Sequence, residues 1–280
     1  MEFGFAPFVY YQHLPHLAVV ALHRTAFFWL DLLTLFNLVR WMLLVTLPLT
    51  VAWSLRRLGV PAPGAVVAGA VAALVSGDGK FGIEYDSFVW RGWGMFTQLW
   101  GVHLTFLALA LVHALLERGR GLVRTVLVLS ALALSHLIWA YMAAISVGVL
   151  FLVGLRPATW RVRLVRLLAA GAGAAVLTSY MWLPFLMTRA YLNVSQPYLP
   201  KWRFDSFGLG QIATWIGTGD LLDHGRLPVL TALLAVGAVA AALALRRMDR
   251  LAALAVALVA AWVTLWSGRT RLGALADLLP

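Results

Sequence analysis

Five places in the 280-residue chain carry side chains able to do chemistry. Glu84 and Asp86 alternate with Ile83 and Tyr85. In an extended segment the two carboxylates point the same way and can hold a divalent cation such as Mg or Mn, or take a proton from an attacking hydroxyl. Two solvated loop carboxylates are the alternative. Asp220 and Asp223, followed by His224, stand one helical turn apart and can share a face, although a helix cap or a solvated loop accounts for them equally well. Arg40 lies inside an apolar run, where a guanidinium either grips a lipid phosphate or pairs with an acid such as nearby Asp31. Ser135-His136 falls near the middle of another apolar run, and a polar pair at a hairpin tip there would project toward an external site. Tyr11 belongs to an aromatic apron, 8–16, whose rings can stack on a pyranose or simply lie in an interfacial belt. Carboxylates, rings and arginines in this mixture are what a sugar or lipid-phosphate site needs.

Other chemistries find no residues. There is no cysteine, which removes disulfides, thiolate ligands and Cys nucleophiles. No Walker loop, nucleophile elbow, HExxH or Rossmann fingerprint occurs. His103 and His113 match no metal spacing, so a neutral, hydrogen-bonded state inside a bundle is expected for them. Asn193-Val194-Ser195 fits a glycosylation sequon, a triplet that also arises by chance.

The elements that must position these residues follow from composition. With 62% hydrophobic and 12% charged residues and a mean hydropathy of +0.87, a soluble domain of this size could not hide its apolar surface. The expected fold is an all-α polytopic transmembrane bundle of about eight spans plus an outer-face amphipathic helix, forming one transmembrane domain over 1–280. Residues 1–31 make the apron and an interfacial helix at 14–29. Spans one to five fill 32–187, with spans at 32–55, 61–76, 97–116 and 164–186 and a tight hairpin at 122–153. A loop follows at 188–226, and a final hairpin with a tail at 227–280. Gly64 and Gly69 in the second span suit close helix packing.

Charge sets the sides. The net charge of +11 would suggest nucleic acid in a soluble chain, but here the basic residues sit at the ends of apolar runs, and no nucleic-acid partner is expected. Arginine clusters flank both ends of 122–153, which favours an even number of crossings and therefore a hairpin. This topology puts twelve arginines with only Glu117 and Asp249 inside, and the remaining nine acids outside with the loops 77–96 and 188–226. The expected site is thus extracytoplasmic, among membrane lipids. Both chain ends look cut from something longer.

The order of features is similar to a known family. Tyr10-Tyr11-Gln12-His13-Leu14-Pro15-His16-Leu17, an amphipathic helix, a span ending Leu55-Arg56-Arg57-Leu58-Gly59, Ser135-His136, and the closing Ser267-Gly268-Arg269 with Leu275-Ala276-Asp277-Leu278-Leu279-Pro280 carry the likeness. Over nearly its whole length the chain resembles the bacterial multi-spanning membrane proteins called 6-pyruvoyl-tetrahydropterin-synthase-related, which look like lipid-linked-sugar glycosyltransferases of the GT-C fold. The resemblance implies a polyprenyl-phosphate-linked sugar as donor, the bacterial inner membrane as location and cell-envelope glycan assembly as the process. It also implies a catalytic acid on an outer loop upstream of Met1, so no catalytic residue is named in this chain. The pterin enzyme itself is a soluble fold with metal-binding histidines, which this sequence does not support. A transporter or flippase and a non-catalytic scaffold are the rival classes.

Overall fold

The computed structural model describes residues 12–72, 74, 96–188 and 207–268, and among them every regular element is a helix. In chain order these are α1 (Leu14–Thr25), α2 (Leu32–Leu58), α3 (Ala62–Ala72), α4 (Phe96–Arg118), α5 (Leu122–Ser135), α6 (Leu137–Val153), α7 (Trp160–Thr188), α8 (Gly208–Thr218), α9 (Val229–Leu245) and α10 (Arg250–Ser267). The helices α2, α4, α7 and α10 are long and apolar enough to cross a membrane, whereas α3, α5, α6 and α9 are shorter apolar helices. Large apolar side chains such as Leu33, Leu49, Val123, Val176 and Val236 lie exposed along the bundle.

Local chemistry fixes the helix ends. Asp31 caps α2 by accepting the Thr34 N–H at 2.9 Å. The helix stops at Gly59, whose φ of +103° is reached without strain by glycine, with Arg56 and Arg57 in the last turn where cations favour the helix dipole. Pro48 interrupts the α2 ladder from within, and α3 approaches that point closely. A Cβ on Gly69 would stand 2.5 Å from the Pro48 carbonyl oxygen, so only glycine permits this contact.

The bundle is organised around α4. Half of its apolar stretch is buried, against 17% for α2 and α7 and 11% for α10. On α4, Val112 and Leu116 pack with Val147 and Leu150 of α6, while Ala108 packs with Leu132 of α5 and Ala143 of α6. Gly101, nearer the start of α4, faces His136 and Trp139. These contacts run in register, so α5 antiparallels α4 from Leu122 upward and α6 returns parallel to it: 122–153 is a hairpin with its reversal at His136. The turn stops level with Gly101, about 8 Å short of the α4 terminus at 1.5 Å per residue. Ser135 and His136 at the turn are buried, at 0% and 2% exposed, while Leu137 and Ile138 just beyond them are exposed.

At the other end of α4, Glu117 accepts from Arg156 Nη2 at 3.1 Å and from Arg163 Nη1 at 2.6 Å, joining α4 to the α6–α7 connection and to α7. Arg166 Nη1 donates to the Leu116 carbonyl at 2.9 Å and caps α4. On the far flank, α10 packs on α6, where Trp262 Nε1 donates to Ser146 Oγ at 3.3 Å, and Asp249 caps α10 through the Ala252 N–H.

Within the expected loop 188–226 the described part contains a helix, α8, which packs on α10 and buries Ile212. Glycines at 208, 210 and 217 disguise it in the sequence. The interfacial helix expected at 14–29 is shorter, ending at Thr25.

Candidate functional site

The hairpin tip gathers the polar groups that are hardest to explain structurally. The extended backbone of His136 (φ −162°) breaks the helix, and its ring then caps α6: Nδ1 accepts the Trp139 N–H at 3.3 Å. A neutral imidazole accepting at Nδ1 carries its proton on Nε2. That Nε2–H is buried without a hydrogen-bond partner, and so is Ser135 Oγ beside it. On α4, Thr97, Gly101 and Thr105 recur every fourth residue and form one stripe. Gly101 on that stripe touches the tip, and the hydroxyls of Thr97 and Thr105 above and below it are also buried and unpartnered. Unsatisfied buried polar atoms are rare and each calls for an explanation. These unpartnered donors and acceptors belong to the hairpin tip and to the α4 stripe that meets it at Gly101.

Helix α1 packs on α2, α4 and α5. His13 at the start of α1 shares a 2.7 Å hydrogen bond with Tyr180 Oη of α7, and the His16 ring meets the edge of Phe96, the first residue of α4. Phe96 in turn packs on Phe36 with ring centroids 4.3 Å apart and on Trp100. The segment 75–95, which holds Glu84 and Asp86, leads directly into Phe96.

The other sequence-derived candidates are dispersed. Arg40 is half-buried on α2, and Asp31 caps the start of that helix about 13 Å away along its axis, too far to be its ion-pair partner. Asp220 lies just past the end of α8, exposed and accepting from Thr218 Oγ1 at 2.8 Å. Asp223 does not share a helix face with it. It is buried and accepts the Leu230 N–H, the Thr231 N–H and the Thr231 hydroxyl at the start of α9. Tyr11, Glu84 and Asp86 lie outside the described residues. Among the described residues no group of three or more His, Asp or Glu is placed to hold a metal.

His103 sits as expected of a bundle histidine. Its Nε2 donates to the Leu43 carbonyl at 2.7 Å and Nδ1 pairs with Thr50 Oγ1 at 2.8 Å. Sequence reasoning missed Thr97, one turn from the Gly101 that meets the tip, and the His13–Tyr180 hydrogen bond, because nothing in their spacing links residues so far apart in the chain. No family model, curated protein or solved structure matches the chain.

Proposed function

We propose that this chain is an integral membrane, GT-C-like glycosyltransferase that takes a sugar from a polyprenyl-phosphate donor at the extracytoplasmic face of the bacterial inner membrane. The process would be cell-envelope glycan assembly. The observation that supports the reading best is the set of buried, unpartnered polar groups at the hairpin tip. The unpaired Ser135 and Thr97 hydroxyls and the His136 Nε2–H suit the hydroxyl-rich edge of a sugar, and they lie toward the end of the bundle opposite the arginine clusters. In this reading the eight apolar helices α2 to α7, α9 and α10 all belong to the membrane, the shorter ones as incomplete or tilted crossings. His136 holds the sugar, Arg40 meets the lipid phosphate, and Glu84 and Asp86 face the acceptor or a divalent cation. Asp220 stands at the rim and Tyr11 stacks on the sugar ring.

The test is binding and turnover of a panel of polyprenyl-phospho-sugars by the protein in nanodiscs. Saturable binding that His136→Ala weakens, while the helical content is kept, supports the proposal. Absence of both binding and turnover across the panel sinks it. A second reading, a carrier for lipid-linked or small substrates, draws on the helix break at His136, since interrupted helices line carrier sites. Uptake into proteoliposomes without transfer would favour it.

A further inference from the structure

The arginine end of the bundle holds a second site that the transferase reading does not use. A cavity of about 270 Å³ opens between the ends of α2, α4, α6, α7 and α10. Its polar wall is Arg156, Arg163, Arg250, Glu117 and His113, and its apolar wall includes Leu58, Leu150 and Leu254. Glu117 neutralises one guanidinium, which leaves the wall with two surplus positive charges. The other acid close in sequence, Asp249, is occupied in capping α10.

The decisive group is Arg163. Its side chain is only 3% exposed, yet just one of its nitrogens, Nη1, is bonded, to Glu117. Nε and Nη2 are buried with no partner, and Arg156 Nε is in the same state. A guanidinium presents its N–H groups as a fixed fork, and burying unused prongs beside a second arginine is unfavourable unless an anion completes the set. The backbone makes room for this arrangement: a Cβ on Gly154 would collide with Arg163 Nη2.

We propose that this cavity binds a phosphate group, gripped by the free N–H groups of Arg163 and Arg156 with Arg250 at the mouth. Phosphate offers oxygens in the geometry that arginine forks match, and the leucine wall accommodates the acyl part of a phospholipid. A zwitterionic headgroup brings a cation that the surplus charge repels, so an anionic phosphate is preferred. The site does not depend on the transferase reading or on which side of the membrane the arginine end faces.

Native mass spectrometry of the protein from phosphatidylcholine nanodiscs doped with phosphatidylglycerol tests this, with titration calorimetry against inorganic phosphate as a second arm. Retained phosphatidylglycerol assigns the site to a lipid, and a phosphate isotherm without lipid retention assigns it to a free anion. Arg250→Gln, at an exposed position, and Gly154→Ala, which keeps every charge but displaces the fork, are each expected to weaken binding about tenfold. Arg163→Lys, which keeps the charge but loses the fork, should do the same. Neither ligand bound, or binding equal in wild type and all three variants, overturns the proposal.

Discussion

Replacing Asp223 by alanine should open the first turn of α9. Its two carboxylate oxygens take three hydrogen bonds, from the Leu230 N–H and Thr231 N–H at 2.9 Å each and from the Thr231 hydroxyl at 2.6 Å, and the side chain is 3% exposed. Loss of a helix cap costs about 0.5–2 kcal/mol. Leaving the buried Leu230 N–H without an acceptor adds about 1–3 kcal/mol, so a local loss of about 2–4 kcal/mol is expected. Hydrogen exchange resolves it: the amides of 230 and 231 should exchange about 30- to 1,000-fold faster than in wild type, with those of α4 unchanged. Acid adds an independent check. Burial pushes the Asp223 carboxyl up, but the bonds from Thr231 and Leu230 and the charge of Arg226 outweigh it and hold the group below the ordinary carboxylate value. A depressed folded-state value means the stabilisation is fully present above the unfolded value of about 3.9 and disappears as pH falls through the folded one. Wild-type protection of these amides should therefore decline only in that acid range, and Asp223→Asn should remove the pH dependence. If exchange at 230 and 231 is the same in Asp223→Ala as in wild type, the capping role assigned to this carboxylate is wrong.

Other perturbations probe the packing. Glu117→Gln leaves Arg163 buried beside a neutral partner and should cost about 3–5 kcal/mol, while the Glu117→Gln/Arg163→Gln pair should cost less than the sum of the two single changes; a double-mutant cycle of thermal stability in detergent reads the coupling. Gly69→Val drives a side chain into the Pro48 carbonyl and should lower stability by about 1–3 kcal/mol, whereas Gly237→Ala, which meets open space, should be neutral by the same assay. His136→Ala removes the α6 cap and should cost about 0.5–2 kcal/mol, with faster exchange at the Trp139 amide; protection unchanged there would show that the ring does not cap α6.

Much of the helical layout is legible in the chain because it is written locally. Asp31 and Asp249 stand where they can cap the helices that follow them, Gly59 after Arg56-Arg57 ends α2, and the tract 122–153 is two helices that meet at His136. What was hidden depends on contacts between distant residues. Glu117 looks like a stray acid among arginines until folding brings Arg156 and Arg163, 39 and 46 residues away, onto its two oxygens. Asp223 resembles a functional partner of Asp220 because spacing alone cannot show that its oxygens face the start of α9. The packing at the hairpin turn is hidden for a related reason: an apolar tract gives its length, but the burial of His136 depends on the small Gly101 surface of a neighbouring helix. Glycine content likewise concealed α8, whose helix is secured by packing on α10 more than by propensity.

The short arms of the α5–α6 hairpin bear on biosynthesis. At 14 and 17 residues, neither arm has the roughly 20 apolar residues that let a segment settle in a bilayer by itself. If the hairpin enters the membrane, as the proposed function has it, the two arms go in as a unit, and the surface that receives them, the small-residue stripe of α4, has already left the ribosome by then. Damage to that stripe would therefore appear first as misinsertion of newly made chains, before any defect in the mature protein could be assayed.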